Sequence, residues 1–472
     1  MPPGGGRESR GVRIGVVAAE MAPLAKVGGL GDVTGALSAE LAARGHKVTV
    51  LMPGYASVRD AALAGVVRDR ASVAFEGSQR VVPLRRGTLG RVEVALLDDP
   101  LVAGRGPYDY ADARDEAFRY GLLCRVAADW LAPRVDLLQL HDHHAALTVA
   151  LLAGRPRPAT LLTVHNMAYQ GIHAWEHVAG LGLPAGAFAM LDWYGRANAL
   201  KAAILGADAI SAVSPTYARE IRDTDLGCGL NAFLLARGSA LSGILNGIDV
   251  KVWDPQSDEH LPARYSADDL AGKARCKDAL LHEMGLQRSG RPLLGIVSRL
   301  TEQKGFDLLR PMMPEVTAVA DLVVLGTGDA RLEAAFRHEA GKHVGVRIGF
   351  DEALAHRIEA GSDLFLMPSR FEPCGLNQMI SMRYGTLPVV RRTGGLADTV
   401  VDADEDPQAG FGFVFGRPTS ASFFGALFRG LKAIEEGRAP DLAQRAMAID
   451  VSWSASAARY ERLMADLAAA PR

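Results

Sequence analysis

The chain has 472 residues and carries 52 basic against 54 acidic side chains, a formal charge of -2. That balance offers no counterion-release drive, so no nucleic-acid partner is expected. Hydrophobic residues make up 49% and charged residues 22%, which excludes a disordered or fibrous chain, and the length implies two sizeable domains. Cys124, Cys228, Cys276 and Cys374 form no CxxC pair, which suits reduced thiols and neither a disulfide scaffold nor a structural zinc site. The stretch through Pro23 has basic residues but no uninterrupted apolar run before a cleavage-like site. No segment reaches the roughly 18 apolar residues of a membrane span, so the expectation is a cytoplasmic protein with no membrane partner.

In chain order, VRIGVVAA at 12–19, the amphipathic DVTGALSAELAARG and HKVTVLM at 46–52 make a β-α-β rhythm. The rhythm returns at RVEVALLD, VDLLQL and ATLLTVHN, and restarts with PLLGIVSRL at 292–300, ADLVVLGTG at 320–328 and SDLFLMP at 362–368. Continuously apolar strands separated by helices predict parallel sheets covered on both faces. The polar segment 249–273 holds two prolines and no sustained period, which places a domain junction near its start. SWSASAARYERLMADLAAA reads as a final helix. The fold class is therefore α/β, with two doubly wound parallel-sheet domains, and chemistry is expected in loops directly after strands.

Five such loops stand out. After the first strand, Lys26, Gly28 and Gly29 lead into a helix, either as a plain turn or as a phosphate cradle where backbone amides and the helix N-terminus meet an anion. His141 with Asp142, His143 and His144, and His165 with Asn166, follow two more strands. Neighbouring histidines at a strand end diverge and no carboxylate or thiol completes a shell, so no metal is expected; they suit sugar hydroxyls or simple capping.

In the second half, Arg299 and Lys304 lie five apart in one loop, a spacing for two cations on a diphosphate or a solvated basic loop. Gly326, Thr327, Gly328 and Asp329 form a weaker glycine turn. The densest segment, 367–400, sets Glu372 ahead of Pro373, Cys374 and Gly375 at the start of a helix, and repeats a glycine turn at Thr393. Glu372 is either a pocket carboxylate or a plain helix-start one. Cys374 reads as a pocket wall, since no histidine is arranged to make it a nucleophile.

KVGGLGDV, YQG after the HN pair, LNGID at 245–249, SRLTEQKGFDLL and SRFEPCGLNQM, in this order over nearly the whole chain, resemble the glycogen and starch synthase family of ADP-glucose-dependent glucosyltransferases. The resemblance implies the GT-B fold, two Rossmann-like domains with a deep interdomain cleft. It places an N-terminal domain at 1–248, a nucleotide-diphosphate domain at 249–452 and a C-terminal helix, 453–472, returning to the first. It implies transfer of glucose from ADP-glucose to an α-1,4-glucan, with no cofactor. His141, Arg299, Lys304 and Glu372 become catalytic. Lys26, Gly28, Gly29, Asn246, Cys374, Gly375, Leu376 and Thr393 become donor contacts. His165, Asn166, Tyr169 and Gln170 fall on the acceptor side. Two departures stand against the pattern, His143 where relatives often carry tryptophan and Ile380 where many GT-B enzymes have a second glutamate. An α-glucan phosphorylase-like enzyme and a catalytically silent glycan-binding protein are the alternatives.

Overall fold

Short runs of Val, Ile and Leu become the strands of separate sheets in a computed structural model that describes residues 11–470. The chain divides into two units. The first takes in the residues up to Val213, Ala218–Ile244 and the chain from Ser456; the second takes in Ser214–Tyr217 and Leu245–Ala455.

The first unit is built on β1 (Arg13–Val17), β2 (Lys47–Pro53), β3 (Ala64–Phe75), β4 (Ser78–Leu89), β5 (Val92–Leu97), β6 (Leu137–His141) and β7 (Ala159–Val164). A small second sheet holds β8 (Ile172–His173), β9 (Asp192–Trp193) and β10 (Arg196–Asn198), and β11 (Ala209–Ala212) and β12 (Leu241–Gly243) complete the main sheet. The main order is β12-β11-β7-β6-β1-β2-β5-β4-β3. β1 sits between β2 and β6, both parallel to it. Chain direction across the sheet therefore reverses between β1 and β6, the crevice position where ligands bind in doubly wound sheets.

The expectation of purely parallel strands fails at one edge. β3, β4 and β5 pair antiparallel, because Glu76 and Gly77 both adopt positive φ, 51° and 73°, and close a two-residue hairpin between Phe75 and Ser78. β3 alternates buried and exposed residues towards its end, as a sheet edge with one wet face should. β6, β7 and β11, by contrast, are buried throughout.

The second unit holds β13 (Leu293–Val297), β14 (Asp321–Gly326), β15 (Val344–Ile348), β16 (Leu364–Met367), β17 (Leu387–Arg391) and β18 (Phe413–Phe415). All are parallel, in the order β15-β14-β13-β16-β17-β18, and the direction reverses between β13 and β16. Leu294, Ile296, Leu322, Val324, Leu364, Leu366 and Phe413 form its core. The final helix, Trp453–Ala469, buries Tyr460 and Met464. Its Glu461 meets Arg44 Nη1 and His46 Nε2, each at 3.2 Å.

Candidate active site

In the first unit, the loops after β1, β6 and β7 emerge at the same sheet edge. After β1, buried Glu20 organises the glycine loop. Its Oε2 accepts from the amides of Val27 at 2.5 Å and Gly28 at 3.0 Å, and its other oxygen accepts from the Tyr108 hydroxyl. Lys26 Nζ pairs with Asp32 at 2.8 Å, both partly exposed. Gly28 caps the helix Gly29–Ala43 with φ of -145°, which any residue adopts, and a Cβ placed on it meets nothing within 4 Å. Neither backbone strain nor packing explains a glycine there, so the open approach to its backbone remains as the reason.

After β6, Asp142 adopts φ of 54°, a conformation costing about 1–3 kcal/mol for a non-glycine residue and concentrated at functional sites. Its Oδ1 accepts from the His165 amide at 2.7 Å, which ties the loop after β6 to the loop after β7. His141 is fully buried, and its Nδ1 faces His165 Nε2 at 2.8 Å. Burial, then the facing imidazole, holds the His141 pKa well below the usual histidine range, and burial lowers that of His165. Both are neutral at pH 7. His141 Nε2 is buried without a hydrogen-bond partner among the described residues, and a buried polar atom left so is costly unless a ligand completes it.

The acceptor-side residues separate. Asn166 Oδ1 accepts from the Ala168 amide at 3.0 Å, and Tyr169 is exposed. Gln170 is buried with its amide engaged at both ends, donating to Met167 O at 3.2 Å and Cys228 O at 2.9 Å and accepting from Asn198 Nδ2 at 2.7 Å. Its side chain therefore braces walls. Tyr169 and Gln170, but not Asn166, border a cavity of about 330 Å³ that also takes in Glu116, His143 and Trp193.

In the second unit, the loops after β13 and β16 flank the reversal of strand order. Lys304, in a single 3-10 turn, pairs through Nζ with Glu372 Oε2 at 2.6 Å, and Ser369 Oγ donates to the same oxygen at 3.0 Å. Arg299 is exposed, and its guanidinium makes no hydrogen bond or ion pair with the described residues. Gly305, with φ of 70°, packs so closely on Pro368 O that a Cβ would lie 1.9 Å from it. Gly394, with φ of 44°, would place a Cβ 1.9 Å from Glu372 O, and Gly395 one 2.1 Å from Cys374 O. These glycines let the turn at buried Thr393 nest against the glutamate loop. Asn246 is buried, and its Oδ1 has no partner among the described residues.

One sequence expectation needs correction here. The helix after Glu372 begins only at Asn377, with half-buried Leu376 as its cap and Gly375 (φ of 72°) turning the chain ahead of it. Cys374 thus precedes the helix, gains no thiolate stabilisation from it, and burial pushes its thiol up to about 12. The glycine turn at 326–329 is also already satisfied. Glu333 accepts from Thr327 Oγ1 at 2.7 Å and the Gly328 amide at 2.9 Å, while Asp329 caps the helix Ala330–Glu339.

Sequence reasoning missed Glu20, Asp142 and Ser369 as organisers of the loops. Each acts through backbone amides or another side chain; Asp142, beside His141, and Ser369, at the head of SRFEPCGLNQM, stood in motifs already noticed, whereas Glu20 did not.

Residues 13–236 match the starch synthase catalytic domain and residues 291–430 the glycosyl transferases group 1 family. Glycogen synthase from Anaeromyxobacter sp. (strain Fw109-5) is 45% identical, with 96% of this chain and 99% of that protein covered. The chain belongs to the glycogen and starch synthase family. Glycogen synthase from Aromatoleum aromaticum (strain DSM 19018 / LMG 30748 / EbN1) is likewise 45% identical over 98% of this chain and 99% of that one. The catalytic domain of starch synthase IV from Arabidopsis thaliana, solved bound to ADP and acarbose, superposes with a TM-score of 0.90 at 32% identity, covering 98% of this chain and 100% of that one. Sucrose-phosphate synthase from Thermosynechococcus elongatus, 17% identical at a TM-score of 0.65 over 98% of this chain and 100% of that one, shares the fold. As a member of the family the chain is a hexosyltransferase that takes a nucleotide-sugar donor and a glucan acceptor. Among the described residues, no helix is long and apolar enough to cross a membrane.

Proposed function

We propose that this enzyme transfers glucose from ADP-glucose, with retention of configuration, to the 4-hydroxyl at the non-reducing end of an α-1,4-glucan and releases ADP. The observation that carries the reading is the pairing of Lys304 with Glu372 at the switch point of the second unit, in the loop that also carries Arg299, whose guanidinium has no partner among the described residues. Two cations five residues apart in one loop suit a leaving diphosphate, whose oxygens gain charge as the bond to the sugar breaks. ADP as the nucleotide is supported by the Arabidopsis starch synthase, 32% identical and bound to ADP and acarbose.

In this mechanism the bond between the glucosyl anomeric carbon and the diphosphate oxygen breaks, and the bond to the acceptor oxygen forms on the same face. The acceptor proton passes to the departing diphosphate. Arg299 and Lys304 stabilise that charge, and Glu372 fixes the Lys304 ammonium. His141, neutral and with Nε2 unpartnered, holds a sugar hydroxyl and acts as neither acid nor base. Lys26 and the open backbone at Gly28 and Gly29 form further donor contacts, as do Asn246, Cys374, Gly375, Leu376 and Thr393 in the second unit. His165, Asn166 and Tyr169 face the acceptor. Initial rates with ADP-glucose and UDP-glucose at equal concentration, with glycogen present, test the reading. Faster ADP release supports it, and a faster UDP-glucose reaction overturns the choice of base.

A further inference from the structure

The glutamate loop and the glycine turn at Thr393 are held by a third segment, which the transfer chemistry does not use. Of the chain before Leu245, only Ser214–Tyr217 belongs to the second unit. Pro215 opens the helix Pro215–Asp223, and proline suits that first position because an amide there would have no partner within the helix. The next two amides are orphans of the helix start and need acceptors from elsewhere. Tyr217 N finds one in Ser214 Oγ at 3.1 Å, as an N-cap. Thr216 N finds one in Asp398 Oδ2 at 2.7 Å, 182 residues away, and Thr216 Oγ1 donates to Asp398 Oδ1 at 2.6 Å.

Both parts of this cap reach the donor loops. Ser214, fully buried, donates its hydroxyl proton to Pro373 O at 2.6 Å, on the residue after Glu372. Gly395 N shares its proton between that oxygen, at 3.2 Å, and Glu372 O, at 3.1 Å. Asp398 lies on Gly394–Thr399, the helix that the glycine turn begins. The glutamate loop and the glycine turn are thus bonded to each other, and each is bonded again to the start of one helix. Leu396 supplies the buried apolar contact of Gly394–Thr399, whereas Asp398 is only half-buried. Its carboxylate oxygens match the two Thr216 donors, and its charge faces the positive end of a nine-residue helix.

We propose that Asp398, acting through Thr216, and Ser214 are positioning residues for glucosyl transfer: they clamp the glycine turn and the Glu372 loop in the register that sets Lys304 against the leaving diphosphate. This rests on the transfer reading above and adds to it residues that act only through others. A displacement of about 1 Å, caused far from the chemistry, costs up to roughly a hundredfold in rate, so a remote clamp of this kind has a measurable effect on turnover.

The test reads loop position apart from catalysis. Cys374 follows Pro373 and is buried, and Cys276 is buried elsewhere in the same unit. Iodoacetamide labelling of the intact enzyme, resolved by peptide mass spectrometry, is compared among the parent, Thr216→Val, Thr216→Ser and Asp398→Ala. Tm and initial rates with ADP-glucose and glycogen are measured alongside. Thr216→Val keeps the side-chain shape and the amide bond and removes only the Oγ1 donor, which Thr216→Ser retains. Cys374 is expected to label several-fold faster in Thr216→Val and Asp398→Ala than in the parent, with Cys276 unchanged. In the same two variants kcat is expected to fall about tenfold while the KM for glycogen holds, and Thr216→Ser is expected to match the parent in both readouts. Parent-like turnover or parent-like Cys374 labelling in Thr216→Val and Asp398→Ala overturns the proposal. Labelling that rises at Cys374 and Cys276 together, with a lowered Tm, also overturns it, since a merely structural cap gives that pattern. The two readings fail separately: an inactive parent with the expected labelling removes only the transfer reaction, and an active parent with unchanged variants removes only the clamp.

Discussion

Lys304 Nζ and Glu372 Oε2 lie 2.6 Å apart and join loops 68 residues distant in sequence, with side chains only 18% and 7% exposed. The pair is therefore both a structural tie and the placement of a cation. Removing the lysine alone leaves a buried carboxylate without its partner, which typically costs about 3–5 kcal/mol. Lys304→Ala is expected to lower Tm and to cut kcat by about 10²–10³, the range for one lost charge stabiliser. The double variant Lys304→Ala/Glu372→Gln should recover most of the Tm and none of the turnover. Recovery of kcat along with Tm would reduce the pair to a structural role.

Two glycines give opposite expectations from the same substitution. Gly394→Ala forces a Cβ to within 1.9 Å of Glu372 O at positive φ, so the glutamate loop must move; reduced Tm and loss of turnover are expected. Gly28→Ala meets no atom and no strain. It should leave Tm unchanged and raise the donor KM, because the added methyl stands where the ligand meets the backbone. An unchanged KM would mean that nothing approaches Gly28.

The buried histidines set an acid limit on stability. Burial holds the pKa values of His141 and His144 well down, so below about pH 6.5 the unfolded chain takes up protons that the folded chain refuses. Stability is complete above that pH and falls as pH drops, by about 1.4 kcal/mol per pH unit for each such histidine. Urea unfolding between neutral pH and pH 5 should show a shallower acid decline for His141→Gln than for the parent. Parallel curves would mean that His141 titrates normally in the fold.

Much of this was legible in the chain because parallel strands buried on both faces are written as unbroken apolar runs, and because loops after them carry glycine and charge together. VDLLQLH and ATLLTVH became β6 and β7, and the loops that carry Lys304 and Glu372 meet through that ion pair. What was not legible depends on partners distant in sequence or on backbone angles. The hairpin at Glu76 and Gly77 has no Asn-Gly signal. Cys374 lies ahead of the helix that its motif predicts it to start, and burial raises its thiol. The linker also hid a polar core: Asp258 Oδ2 meets His356 Nδ1 at 2.7 Å and accepts 2.5 Å from the Tyr384 hydroxyl, and Trp253 stacks on His356. Residues 249–273 read as an unpatterned junction because their partners lie some hundred positions away.

Lys273, at the end of that segment, ties it to the helix that follows Glu372. Its Nζ donates to Thr386 Oγ1 at 2.6 Å, Ala360 O at 3.0 Å and Tyr384 O at 3.1 Å, the last just past the helix Asn377–Arg383. Burial pushes its pKa down to about 8. Between pH 8 and about 10.4 the unfolded lysine keeps a proton that the folded one has lost, so this group makes stability rise with pH by up to about 1.4 kcal/mol per unit. Other groups titrate there too, so the informative quantity is the difference between the parent and Lys273→Met. That difference should move in the parent's favour as pH rises from 8 to 10, and the variant should be less stable at every pH because three acceptors lose their donor. A difference independent of pH would show that Lys273 keeps its proton in the fold, held by those three oxygens against the cost of burial.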